Sequence, residues 1–142
     1  MQGDRSYYKQ WPTGEVIELV EHLPFCHGSA FKYLLRPAKR QRAADLEKAA
    51  WYIRRILDKA AVQNFVFGRD ELIDTQLLSL GLSFARDLYN AGYQRTGLAC
   101  KLLSVAFWDR EISDVERHKA LYHALNEIEK EAAEESDRIK QN

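Results

Sequence analysis

Apolar positions in this chain recur at three- and four-residue intervals almost throughout, which is the helical signature. Val16, Ile17, Leu19, Val20 and Leu23 form the first stripe, with Thr13 ahead of Gly14-Glu15 as its expected N-cap and Pro24 as its limit. A second short helix is expected from about Cys26 or His27 to Arg36, with Phe31, Leu34 and Leu35 turned inward. Pro37 biases Arg36 away from helical dihedrals, so a break or kink is expected there. From Ala43 to Gln63, the residues Leu46, Ala49, Ala50, Ile53, Ile56, Leu57 and Ala60 predict a long helix. Asp70 begins the next one, lined by Leu72, Ile73, Leu77, Leu80, Phe84 and Leu88 and closed by Gly92 at C′. Gln94 to about Trp108 reads as another apolar helix. Ser113 and Glu116 have the spacing of a capping box that opens the last.

That last helix has two characters. From Val115 to Ile128 it is amphipathic, with Leu121, Leu125 and Ile128 on one side. From Glu129 to Asn142 it is nearly all polar with charges of both signs, a stretch expected to fray, to project or to pair with another subunit. Only Asn64-Phe65-Val66-Phe67-Gly68 has β character, and it is short enough to be a connection. The fold class is therefore all-α: a compact bundle of five to six helices with a long C-terminal helix. Residues 1–64 form one helical region and 65–142 a second, sharing one core.

Composition narrows the function. With 46% hydrophobic and 30% charged residues among 142, the chain has the balance of a globular domain rather than of a disordered one. Lys and Arg number 21, as do Asp and Glu, so no bulk charge grips duplex nucleic acid or an anionic membrane. Cys26 and Cys100 alone supply neither a disulfide framework nor a four-cysteine zinc site. No apolar run approaches the roughly 18 residues of a membrane span, and Met-Gln-Gly-Asp-Arg has none of the features of a signal peptide. The expected location is the cytoplasm.

The charge is unevenly spread. Residues 1–60 carry 11 basic and 7 acidic side chains, whereas residues 61–142 carry 10 and 14. Between Lys32 and Arg42 lie Lys32, Arg36, Lys39, Arg40 and Arg42 without an acidic residue. Lys32, Arg36 and Lys39 are spaced to share a face of a continuous helix, and if Pro37 interrupts it a turn there is expected to fold Lys39 and Arg40 back toward the same spot. The following helix offers its N-terminal amides to the same point. Such a corner suits a phosphate-sized anion better than a long polymer. Tyr33, Trp51 and Tyr52 lie within the same stretch and are candidates for stacking on a base, although core packing is the commoner use of such aromatics. Lys48 follows Asp45 at the spacing of a helix-surface ion pair.

Other chemistry is thinly represented. There is no Walker-type phosphate loop and no Gly-x-Gly-x-x-Gly dinucleotide fingerprint. His118 and His123 point to different sides of their helix, and His22, Cys26 and His27 lack a fourth partner, so no protein metal site is assigned. Glu15, Glu18 and Glu21 on one side and Glu71 and Asp74 on another have the spacing of magnesium-holding carboxylates. Such pairs resemble those of all-α nucleoside triphosphate pyrophosphatases, although they stand farther apart here than in that family; the wet face of an amphipathic helix is the better account of the first group.

Residues 13–57 resemble a small phage-associated family, described as SaV-like, that includes phage nucleotide kinases without a P-loop. The likeness rests on Gly28-Ser29-Ala30-Phe31-Lys32-Tyr33-Leu34-Leu35-Arg36, then Lys39 or Arg40, then Asp45-Leu46-Glu47-Lys48-Ala49-Ala50-Trp51-Tyr52. Ser29 stands where that family prefers Asn, and Pro37-Ala38 replaces a more flexible turn. The resemblance implies phosphoryl transfer from a triphosphate donor onto a nucleoside monophosphate. Lys32 and Arg36 would contact phosphate, with Lys39, Arg40 and Lys48 as secondary ligands. Tyr33, Trp51 or Tyr52 would stack on the base, and Gly28, Ser29 and Asp45 would serve as turn or positioning residues. A nucleotide ligand is implied, with Mg²⁺ as its companion if the transfer needs one. No residue offers itself as general base beyond Asp45, which caps its helix. Two alternatives stand beside the kinase. One is a non-catalytic phage protein that sequesters a nucleotide signal used in host defence, acting in the host cytoplasm. The other is a helical protein-interaction module. A homo-oligomer is expected in each case.

Overall fold

The computed structural model describes residues 11–36, 41–60 and 70–141. Six helices follow one another: α1 (Ile17–Val20), α2 (Phe25–Leu34), α3 (Arg42–Ala60), α4 (Glu71–Asn90), α5 (Gln94–Trp108) and α6 (Asp114–Gln141). The all-α expectation holds, with no strand among the described residues and α6 as the long final helix. The principal packings are antiparallel neighbours, α2 on α3 and α4 on α5, with α6 lying against both α3 and α5. Leu19, Phe31, Ile53, Phe84, Leu103 and Leu121, one from each helix, are fully buried in a single apolar cluster. None of the described helices is long and apolar enough to cross a membrane.

Helix limits follow local chemistry in the C-terminal half. The Asp70 side chain accepts from the Leu72 amide at 2.7 Å and so caps α4. At the other end Gly92 has φ +96°, while the Tyr93 amide reaches Leu88 O at 2.9 Å and the Gly92 amide reaches Tyr89 O at 3.1 Å. This is the left-handed stop that glycine permits at C′. Ser113 and Glu116 exchange the two bonds of a capping box at 3.1 and 3.2 Å. Accepting from the Ser113 amide, and next from its hydroxyl, holds the Glu116 carboxyl below its usual range.

The first helix differs from its expectation. It has only one turn, and its N-cap is Val16, which makes no side-chain bond. The Thr13 amide instead donates to Asp87 Oδ2 on α4 at 2.8 Å. Trp11, buried, donates from Nε1 to Leu35 O at 2.8 Å. The segment before α1 is thus a strap across α2 and α4, and long-range bonds have overridden the local helix pattern. The second half of α6 also departs from expectation. It stays helical and docks, with Glu131 and Ala132 buried, Arg54 bonded to Glu129 at 3.2 Å and Arg95 paired with Glu134 at 3.0 Å. The expected β-like segment at 64–68 lies outside the described residues.

Two buried arginines fix the helix ends. Arg42 Nη1 donates to Leu34 O at 3.1 Å and to Arg36 O at 3.4 Å, and Nη2 donates to Thr96 Oγ1 at 2.6 Å. Its guanidinium also lies 4.5 Å from the centre of the Tyr93 ring. One side chain therefore ties the C-terminal carbonyls of α2 to the first turns of α3 and α5. Arg117 does the same for α5, donating to Ala106 O at 2.6 Å.

Candidate nucleotide-binding corner

Helices α2 and α3 bring together the basic and aromatic residues that the sequence singled out. Lys32 and Arg36 lie on the last turn and exit of α2, and Lys48 lies on the second turn of α3. All three cations surround one ring. Lys32 Nζ is 5.8 Å, Arg36 Cζ 5.7 Å and Lys48 Nζ 5.3 Å from the Tyr33 centroid. Each contact stabilises weakly, about 0.5–1 kcal/mol at an exposed position, so the ring organises the cations without neutralising them.

Asp45 distinguishes Arg36 from the lysines. It is fully buried in the first turn of α3 and meets Arg36 Nη1 through Oδ1 at 3.4 Å. Its Oδ2 has no hydrogen-bond partner among the described residues. Lys48, three residues on, is placed by the Tyr33 ring, and the expected Asp45–Lys48 bridge gives way to Arg36 because Asp45 points inward. Lys32 and Lys48 are exposed and have no acidic partner among the described residues. Lys39 and Arg40, the other two expected phosphate ligands, lie outside the described residues.

The aromatic side chains form a continuous run. Tyr33 and Tyr52 stack with centroids 6.0 Å apart and planes 8° from parallel. Tyr52 meets Trp51 edge-on at 5.0 Å and Phe25 at 5.8 Å. Tyr33 and Tyr52 therefore spend ring surface on each other, whereas Trp51 and Phe25 are 54% and 75% exposed. Arg55 adds a further cation 5.9 Å from the Trp51 centroid. Phe25 and Arg55 were missed in the sequence. The signal for Arg55 was its four-residue spacing from Trp51; Phe25 opens α2 after Pro24 and gave none.

The expected positioning residues take different parts. Gly28 and Ser29 lie inside α2 rather than in a turn. A Cβ on Gly28 would stand 3.3 Å from Val20 O, so this glycine serves the packing of α2 on the segment before it. Asp45 alone of the three touches a cation of the corner. The carboxylates of the magnesium reading do not assemble, for no three His, Cys, Asp or Glu side chains gather to hold a metal among the described residues. Asp74 is buried beside Arg110 at 3.7 Å.

A separate concavity of about 650 Å³ lies on another face, between α4 and α5, lined among others by Leu82, Arg86, Leu98 and Lys101. Comparison with known proteins finds no matching family model, no matching curated protein and no matching solved structure.

Proposed function

We propose that the α2–α3 corner binds a nucleotide, with Lys32 and Lys48 on the phosphates, Arg36 as a third and pre-positioned contact, and Trp51 beneath the base. The observation that carries this reading is the gathering of three cations within 6 Å of one ring centre while, among the described residues, only Arg36 has a carboxylate. Like charges held together repel, and a multiply charged anion turns that repulsion into attraction. The exposed indole of Trp51 adds a flat apolar surface of the kind on which bases stack for about 1–3 kcal/mol. Tyr52 links the Tyr33 ring, beside the lysines, to Trp51, with centroids 6.0 and 5.0 Å away.

Binding is better supported than phosphoryl transfer. Asp45, the only acidic side chain against these cations among the described residues, is fully buried and engaged by Arg36, so it serves to orient the guanidinium and not to take a proton from a hydroxyl in solvent. The reading is therefore a non-catalytic nucleotide-binding protein of the signal-sequestering type, acting where nucleotides are, in the cytoplasm. The resemblance of residues 13–57 to phage nucleotide kinases supports the ligand class.

The test is direct. Trp11 and Trp108 are buried, so fluorescence quenching on titration with mono-, tri- and cyclic nucleotides reports mainly on Trp51. Saturable quenching, with the nucleotide recovered unchanged after incubation with ATP, is the expected result. Transferred phosphate would make the protein a kinase, and absence of any saturable binding would remove the nucleotide reading altogether.

A further inference from the structure

We propose that the trough between α4 and α5 is a docking groove for an acidic amphipathic helix of a partner protein. Its floor is made at a close approach of the two helices. A Cβ on Gly97 would stand 2.9 Å from Ala85 O, so at this point backbone meets backbone and the surface sinks. Leu82 and Leu98 rise on either side, each more than a third exposed, and Tyr89 is 57% exposed. Leu82 and Tyr89 are seven residues apart on α4, so they border one face of that helix over two turns.

Charge decides what fits. Arg86 on α4 and Lys101 on α5 border this apolar strip from opposite walls, and neither has an acidic partner among the described residues. Arg95 at the same trough behaves differently, being paired with Glu127 at 3.4 Å and Glu134 at 3.0 Å. Two unanswered cations on both sides of an apolar strip call for a ligand with an apolar ridge and carboxylates on both flanks. An amphipathic helix with Leu-type anchors at i, i+3, i+4 and i+7 and Asp or Glu beside them has that form.

Shape separates a helix from a small amphiphile. Small-molecule sites enclose most of their ligand, about 70–90% of its surface. This trough has exposed side chains along both rims, so it is an open surface and not a closed pocket. A helix of about 10 Å diameter lying lengthwise on an antiparallel pair buries one stripe and keeps its opposite face wet, as packed helices do. The site uses helices that contribute nothing to the α2–α3 corner, so the two proposals stand or fall separately.

The experiment uses the full chain and a labelled 18-residue peptide designed with a leucine stripe flanked by glutamates, read by fluorescence anisotropy. The same peptide with lysines for glutamates and dodecanoate are the comparators. The acidic peptide is expected to bind at least tenfold more tightly than the basic one. Arg86→Glu with Lys101→Glu is expected to abolish that preference, and Leu82→Ser to weaken binding at least fivefold, with helical content and nucleotide titration unchanged. Equal binding of both peptides, no binding of the acidic one, or saturable dodecanoate binding without peptide binding would each overturn the proposal.

Discussion

At the scale of single residues, the same side-chain type does different work according to its neighbours. Arg36 and Lys48 both border Tyr33, yet Asp45 neutralises only the first. Replacing Lys32 and Lys48 together by Ala should therefore reduce nucleotide affinity by at least about a hundredfold, since charge-assisted contacts contribute roughly 1.5–3 kcal/mol each. Both side chains are exposed, so the thermal midpoint should hardly move, and calorimetric titration beside a melting curve checks both statements. His27 is a half-buried contrast. Its ring lies 4.6 Å from that of Phe107, and burial pushes its pKa down to about 4. The unfolded chain takes up a proton below about 6.5 and the folded one only near 4, so stability is full above that upper value and falls as pH drops through the window. The loss between pH 7 and pH 5 should be about 2 kcal/mol, measured as a shift of the urea midpoint, and His27→Gln should flatten it.

At the scale of elements, two small residues set how α4 and α5 meet. A Cβ on Gly81 would fall 2.2 Å from Ser104 Oγ, and one on Gly97 would meet the backbone of Ala85 and Tyr89 at 2.9 and 3.2 Å. Ser104 Oγ could swing away from its bond to Cys100 O, whereas backbone at Gly97 has nowhere to go. Gly97→Ala should thus cost about 1–3 kcal/mol by chemical denaturation and should also deform the α4–α5 trough. Helix ends were legible wherever a local device makes them. The Asp70 cap, the Gly92 stop and the Ser113–Glu116 box each act within four residues and appear where the sequence puts them. The first helix was not legible, because Asp87, 74 residues away, holds the Thr13 amide and draws this segment across α4 instead of letting it open a helix.

At the scale of the whole molecule, α6 unites the helix pairs. Its polar second half reads as a stretch that frays, projects or pairs with another subunit, yet Glu131 is buried near Arg42, and that burial raises the Glu131 pKa while the Arg138 and Arg42 charges lower it. Arg42 in turn holds the end of α2, the start of α3 and Thr96 of α5. Ending the chain after Lys130 should remove this cover and lower the thermal midpoint by roughly 10 °C, for a loss of about 3 kcal/mol. Ending it after Arg138 should change little, since Ile139 and Lys140 are exposed.

The order and kind of the helices, most of their limits, and the clustering of Lys32, Arg36, Lys48 and the aromatics around one corner were set by the sequence alone. Spacing along a helix carries that information, and it survives folding because the helix preserves it. Which carboxylate meets which cation, which aromatic keeps an open face, the strap formed by residues 11–14 and the trough between α4 and α5 were decided only by tertiary structure. Each of these depends on a contact between residues that no local period relates, and the winner is chosen by burial: Asp45 takes Arg36 because it points inward, and Trp51 stays open because Tyr52 has turned to Tyr33.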